Sequence, residues 1–442
     1  MIMNEICKPD AALARLILPQ KPHPGLFYIP SQFALPLIHR GKHYAFHLLT
    51  KQLIEAELPL SARVGEGFDP LIEAMFLVPE GKDECTYYES VAKMMRLFGQ
   101  KKGIPCYTIL PTLGCNARCI YCYEEGRKQV TMTPEIVEQT IRYILETRAE
   151  GTIKLKWFGG EPLLCPGIID RVSDALREAG VPFKSSVVSN GSLITPAIVE
   201  KMTTRWNVTN IQISMDGAEP DYIVRKHYYA DAGQYHFVMD ALSRLSAAGI
   251  RVSLRCNVDD GNWDGIPKFM DDLRENVAHK DNIGVYFSPL MDVRTGDGEL
   301  DFWEKVIAAR PLIEAAGFRP RAYNEPSMRF KANRCMADGG SIVIEPDGSL
   351  YSCEHCPSNG RFGDVFHGVT DEATKTEFCR SDRTREKCRK CPFLPECTSF
   401  ASCPWTDAHC REMREMLTLD FLKRLIDRKT NTEEPDGDDS VC

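Results

Sequence analysis

Cys115, Cys119 and Cys122 stand in TLGCNARCIYCYEE at C-x3-C-x2-C spacing. One loop thus brings three thiolates together where a four-iron cluster takes four ligands, so one iron is left to coordinate something exchangeable. A zinc loop completed by a distant fourth ligand is the alternative, although close-packed zinc sites favour two C-x2-C pairs. A second group lies in CMADGGSIVIEPDGSLYSCEHC and KCRKCPFLPECTSFASCPWTDAHC, and nine of the chain's eighteen cysteines fall between Cys335 and Cys410. The amino terminus carries Glu5, Asp10 and Arg15 too early for a signal peptide, so cysteines crowded at ligand spacing read as metal sites rather than disulfides.

The elements that must position these groups are legible around them. Six β-branched or aromatic runs, at 106–112, 153–158, 184–190, 210–215, 251–257 and 285–288, alternate with helical patterns such as 133–148, 196–205 and 233–248. A β/α unit repeated six times implies a parallel sheet, curved or closing into a partial TIM-like barrel, with chemistry at the carboxyl ends of the strands. The first cysteine group follows the first strand. Four regions are expected: an α+β region at 1–104, the barrel at 105–317, a cysteine-rich domain at 318–427 and a charged flexible tail at 428–442. A net charge of −8 gives no attraction to phosphate backbones, and no run is long and apolar enough to span a membrane. A cytoplasmic protein without nucleic-acid or membrane partners is expected.

With its cysteine loop after the first strand, the chain resembles the radical SAM superfamily, over 105–290 for the core and 335–410 for an appended domain. Cys115, Cys119 and Cys122 fall on that family's cysteine motif, with aromatic Tyr121 before the third cysteine. The resemblance implies that S-adenosylmethionine (SAM) chelates the open iron through its amino and carboxyl groups and is cleaved to methionine and a 5′-deoxyadenosyl radical. WFGGEP (157–162) ends the second strand, where Gly159, Gly160 and Glu161 match the motif that approaches the methionine amine. SNG (189–191) and ISMDG (213–217) end the next two, implying Asn190 near the cofactor and Ser214 at its ribose or carboxylate. Arg225, eleven residues beyond Ser214, is where a carboxylate-binding Arg is expected, with Lys226 as the alternative. Arg255 and Asn257 point the same way at period two along the fifth strand. Each alone is an ordinary strand-end polar residue; together they follow the family's order.

The second group resembles the SPASM extension of peptide-modifying radical SAM enzymes, which houses two auxiliary four-iron clusters and brings the expected total to three. Cys388, Cys391, Cys397 and Cys410 would hold the outer cluster. Cys335, Cys353 and Cys403 would hold the inner one, its fourth position either Cys356 or open to substrate. The five residues between Cys397 and Cys403 are more than the family's usual spacing. Glu354 follows Cys353, where sulfatase-maturing relatives carry a proton-accepting aspartate; a solvent-facing Glu is the other reading. The remaining cysteines are read as structural.

SPASM-type enzymes mostly modify peptides. The expected function is a maturase that abstracts hydrogen from a ribosomally made precursor peptide to install a cross-link such as a thioether, fed by an electron donor such as ferredoxin or flavodoxin. A formylglycine-forming sulfatase maturase and a small-metabolite enzyme are the alternatives. The first hundred residues would either capture a leader peptide as an added strand or form a plain cap.

Overall fold

The computed structural model describes residues 3–17, 19–99, 102–229, 234–290, 299–321, 327–330, 340–354, 360–379, 386–396 and 410–431. They form two compact units, one of Met1–Gly99, Asn324–Arg334 and Asp382–Cys442, the other of Gln100–Tyr323 and Cys335–Ser381.

The first unit opens with β1 (Asn4–Cys7), α1 (Ala11–Ala14), β2 (Tyr28–Pro30), β3 (Ala34–His39), β4 (Lys42–His47), β5 (Leu53–Glu55), α2 (Asp69–Glu73), β6 (Leu77–Pro79) and α3 (Glu84–Gly99). Antiparallel pairing gives a sheet in the order β1-β5-β4-β3 and a separate β2-β6 pair. Along β3 the side chains alternate, Leu35 and Leu37 buried between exposed Pro36 and Ile38, as a half-buried strand requires. Their core also contains Phe33, Phe46, Phe393 and, from the C-terminal helix Cys410–Asn431, Leu422 and Ile426. Lys51, 1% exposed, pairs with Glu396. The linear scheme of four regions therefore does not describe the packing. The amino-terminal strands need an apolar cover, and the segment around 388–396 with the C-terminal helix supplies it.

His47 in this unit is fully buried as the neutral ring, donating from Nε2 to the Met75 carbonyl at 3.1 Å and accepting at Nδ1 from the Thr50 N–H at 3.2 Å. Burial pushes its pKa down to about 3, with Lys51 and Lys82 adding to the effect against the Met75 bond. The folded state therefore binds fewer protons than the unfolded chain below the ordinary histidine value near 6.5. Its stabilising contribution is complete above that pH and lost as pH falls toward 3, at about 1.4 kcal/mol per unit. Hydrogen exchange in β4 and β5 should accelerate between pH 6.5 and 5, after correction for intrinsic rates, by an amount equal to about 2 kcal/mol. Unchanged protection would contradict this.

In the second unit follow β7 (Cys106–Ile109), α4 (Pro134–Thr147), β8 (Ile153–Trp157), α5 (Pro166–Glu178), β9 (Phe183–Ser189), α6 (Pro196–Thr204), β10 (Val208–Met215), α7 (Glu219–Lys226), α8 (Gln234–Ala247), β11 (Arg251–Val258), α9 (Ile266–Asn276) and β12 (Ile283–Pro289). All six expected strands form and pair in parallel in chain order. Helices α4 and α6 begin where Thr133 and Thr195 accept from the backbone N–H three residues on, each with a proline at the first helical position. Alternate strand residues, among them Tyr107, Leu155, Val187, Ile213, Leu254 and Val285, are buried in one core with Ile144, Val172, Met202 and Leu242 of the helices. By the two-residue period, Lys156, Ser214, Arg255, Asn257 and Tyr286 lie on the opposite, inner face.

The sheet extends beyond six strands. After α10 (Glu299–Ala308) and α11 (Arg310–Ala315), β13 (Arg319–Pro320) pairs with β12. At the other edge β14 (Ile342–Ile344) pairs in parallel with β7, and the antiparallel β15 (Ser349–Tyr351), β16 (Gly363–Asp364) and β17 (Gly368–Val369) continue from it. Residues assigned by sequence to the cysteine-rich domain thus complete the barrel sheet, because β7 would otherwise present an unpaired edge.

Candidate active site

The loop that follows β7 carries Cys115, Cys119 and Cys122, and two neighbouring segments hold its backbone. On one side the end of α7 accepts from it: the Arg118 N–H reaches the carbonyls of Lys226 and His227, both at 3.0 Å, and the Ile120 N–H reaches Arg225 at 3.1 Å. Tyr229 N–H returns a bond to Asn116 O at 3.1 Å. The helix can present these carbonyls because His227 turns left-handed at its end, with φ 46°.

On the other side runs the strand-end motif of β8. Gly160 N–H donates to Thr112 O at 3.2 Å and Glu161 N–H to Gly114 O at 2.9 Å. A Cβ on Gly159 would lie 2.3 Å from Thr112 O, and one on Gly160 2.3 Å from Gly114 O. The glycines therefore answer first to the backbone of the cysteine loop itself. Glu161 is fully buried and does not face the interior: its carboxylate accepts from Leu163 N, Ser189 Oγ and Asn190 N. Burial pushes its pKa up to about 7 despite those donors. It ties the end of β8 to the end of β9.

Asn190 is brought to the loop, donating from Nδ2 to Asn116 Oδ1 at 2.9 Å and lying 3.9 Å from Cys115 Sγ. Across the inner face Ser214 is the register partner of Arg255, and Arg255 that of Tyr286. The two basic candidates on α7 part company. Both Nη atoms of Arg225 donate to the Asp259 carboxylate, at 3.1 and 2.8 Å, so its charge is already matched. Lys226 instead reaches Ser214 Oγ at 2.8 Å and Tyr121 Oη at 3.2 Å. Asp216, fully buried in ISMDG, accepts from Tyr121 and from Asn257. Sequence reasoning singled out Ser214 from that motif and passed over its acid, whose signal was a carboxylate at a strand end. Arg255 has no hydrogen-bond or ion-pair partner among the described residues, and its Nε is buried without one.

The three thiols suit a bound cluster. Burial, then Glu161 and the neighbouring thiolates, push Cys115 up to about 11, and burial, then Cys119, pushes Cys122 upward. Soft donors crowded together at such a cost are relieved by a cationic metal centre. Among the described residues no three His, Cys, Asp or Glu side chains gather as for a single metal ion; a four-iron cluster spreads its thiolates more widely.

Of the second cysteine group, Cys335, Cys356, Cys397 and Cys403 lie outside the described residues. Cys388 and Cys391 share one turn, Cys391 N–H donating to Cys388 O at 3.0 Å, and Cys410 opens the C-terminal helix. Cys353 follows β15. Glu354 is 6% exposed and accepts from Lys156 Nζ at 2.5 Å, so the solvent-facing reading does not hold. No helix among the described residues is long and apolar enough to cross a membrane.

A thiolate loop at the carboxyl end of the first of six parallel strands, with polar groups closing the inner face, defines a class of radical enzyme folds. Residues 109–273 match the family described as the Radical SAM superfamily. A domain of that family implies SAM and a four-iron cluster. The chain is 23% identical to the radical SAM cyclopropyl synthase TigE of Paramaledivibacter caminithermalis, over 95% of this chain and 94% of that protein. It is 23% identical to the subtilosin biosynthesis protein AlbA of Bacillus subtilis, over 64% of each. Among solved structures, anSMEcpe with bound AdoMet superimposes with a TM-score of 0.58 at 18% identity, covering 74% of this chain and all of the other. Streptococcus suis SuiB bound to its precursor peptide SuiA gives 0.51 at 12%, covering 87% and all of the other.

Proposed function

We propose that this chain is a peptide maturase that binds SAM on a cluster held by Cys115, Cys119 and Cys122 and abstracts hydrogen from a ribosomally made precursor peptide, installing a cross-link such as a thioether. The observation that carries it is the joining of the three-thiol loop to an inner face lined by Ser214, Arg255 and Asn257. The bound cluster and SAM supply the radical; the residues of this chain bind, orient and shield. Similarity to TigE along nearly the whole chain, and the precursor peptide bound by the structural neighbour SuiB, favour a peptide over a small metabolite. Cys388, Cys391, Cys397 and Cys410 would hold an outer auxiliary cluster, and Cys335, Cys353 and Cys403 an inner one. Glu354, charged beside Lys156, would take a proton from the substrate. Leader capture would use β3 or β1, the edge strands of the amino-terminal sheet.

On this reading the SAM carboxylate falls to Arg255, since Arg225 and Lys226 are committed to internal partners. Arg255→Met should weaken SAM binding about 10- to 100-fold, the range for losing a charge-assisted hydrogen bond, whereas Arg225→Met should change it by less than about threefold. Equilibrium dialysis of the reconstituted variants measures both, and the reverse order would return the carboxylate to Arg225.

The function is tested by anaerobic incubation of the reconstituted protein with SAM, a reductant and short peptides encoded beside its gene, followed by mass spectrometry. A loss of two hydrogens with a new cross-link supports maturation. A Cys-to-formylglycine mass change overturns it in favour of sulfatase maturation.

A further inference from the structure

Behind the cysteine loop five polar side chains form a set whose protons can be counted. Tyr121 turns its single O–H to Asp216, whose carboxylate oxygens lie 2.7 and 2.6 Å away. Asn257 Nδ2 donates to Tyr121 Oη and to Asp216 Oδ1, each at 3.0 Å. Lys226 Nζ donates to Ser214 Oγ at 2.8 Å and to Tyr121 Oη at 3.2 Å, and its third proton faces Asp216 Oδ2 at 3.6 Å. Lys226 is 2% exposed and Asp216 fully buried, so these contacts are made out of water. Burial opposes the charge on Lys226, but the Asp216 carboxylate outweighs it and holds the ammonium protonated.

An ammonium has three protons and no lone pair. All three are directed into this set, so Lys226 keeps none for a ligand. The consequence falls on Ser214, whose oxygen accepts from Lys226 and whose single proton cannot return to it. No hydroxyl or carboxylate among the described residues accepts that proton. Ser214 sits on the inner face beside Arg255, and it is only half-buried.

We infer that Lys226 is a positioning residue: it forces Ser214 to act as a hydrogen-bond donor toward the inner face, where an oxygen of SAM accepts, whether a ribose hydroxyl or the carboxylate. This rests on the SAM-binding reading of that face. Without the ammonium, nothing fixes the Ser214 hydroxyl, and its proton is no longer directed at the ligand. A lysine merely filling a buried gap would have no such effect through Ser214.

The test is a double-mutant cycle on the reconstituted full chain. SAM affinity is read from the change it causes in the electron paramagnetic resonance spectrum of the reduced cluster, with iron content checked for each variant. Ser214→Ala and Lys226→Met should each weaken SAM about tenfold, and the double variant should be no weaker than the weaker single one, because both remove the same bond. Ser214→Thr, which keeps the hydroxyl, should restore affinity to within about threefold of wild type only while Lys226 is present. Where Lys226→Met does not fold, Lys226→Gln still donates to Ser214 and should bind SAM better than Ser214→Ala. Additive losses, or a Lys226 variant with wild-type affinity beside a weakened Ser214→Ala, overturn the inference while leaving the SAM site standing. A wild-type chain that does not bind SAM overturns both.

Discussion

Replacing any one of Cys115, Cys119 or Cys122 with alanine should reduce 5′-deoxyadenosine formation to the background of a reductant-only control. Three thiolates are the fewest that hold a four-iron cluster while leaving one iron open, and this loop has no spare ligand. Among the other described cysteines, Cys165 lies beyond the β8 motif and Cys256 is buried on the outward face of β11, within the apolar core. Neither can substitute without moving a strand. The loss should appear in metal content as well as in product: about four fewer irons per chain, with any auxiliary iron retained. The two readouts together separate a missing cluster from a general failure to fold. If all three variants still cleave SAM at the wild-type rate, the site assignment fails.

The second large effect is expected from a single methyl group. Gly160→Ala should abolish cluster retention with no change to any ligand. The added Cβ would stand 2.3 Å from Gly114 O and 2.7 Å from Leu113 O, both backbone atoms that no side-chain rotation can move. Relief requires the β8 end to lift from the cysteine loop, breaking the bonds from Gly160 N to Thr112 O and Glu161 N to Gly114 O. An overpacking penalty of about 1–3 kcal/mol adds to those losses. Gly159→Ala should be as severe, since it combines a 2.3 Å approach to Thr112 O with a φ of 112° that side-chain-bearing residues rarely adopt. Iron content after anaerobic reconstitution measures the effect. Gly167→Ala, at a position where a Cβ meets nothing, is the matched control and should retain full iron. Equal iron in Gly160→Ala and Gly167→Ala would show that the loop does not depend on this contact.

Local patterning was enough for much of this protein. The spacing of three cysteines, the six β-branched runs and the amphipathic stretches between them are all short-range signals. Each strand and helix they announced forms within a few residues of its expected bounds, because burial on one face is written at period two or 3.6. The parallel order followed from the alternation, since successive strands joined by a helix must cross over.

Tertiary structure alone decided what each polar residue is free to do. From sequence, Arg225, Lys226 and Arg255 are equivalent cations near a strand end. In the fold Asp259 neutralises the first, Asp216 and Tyr121 absorb the second, and the third is left facing the interior. Asp259 lies 34 residues from Arg225 and Tyr121 lies 105 from Lys226; of the three partners only Asp216 is near its cation in sequence. No short window of sequence contains the set. The same holds for Glu161, read beside the cofactor from its motif and found binding β8 to β9, and for the segment 388–396, whose apolar side chains cover the amino-terminal sheet. Residue type and spacing name the chemistry a site can perform; long-range pairing of charges and burial determines which copies of each group remain available to perform it.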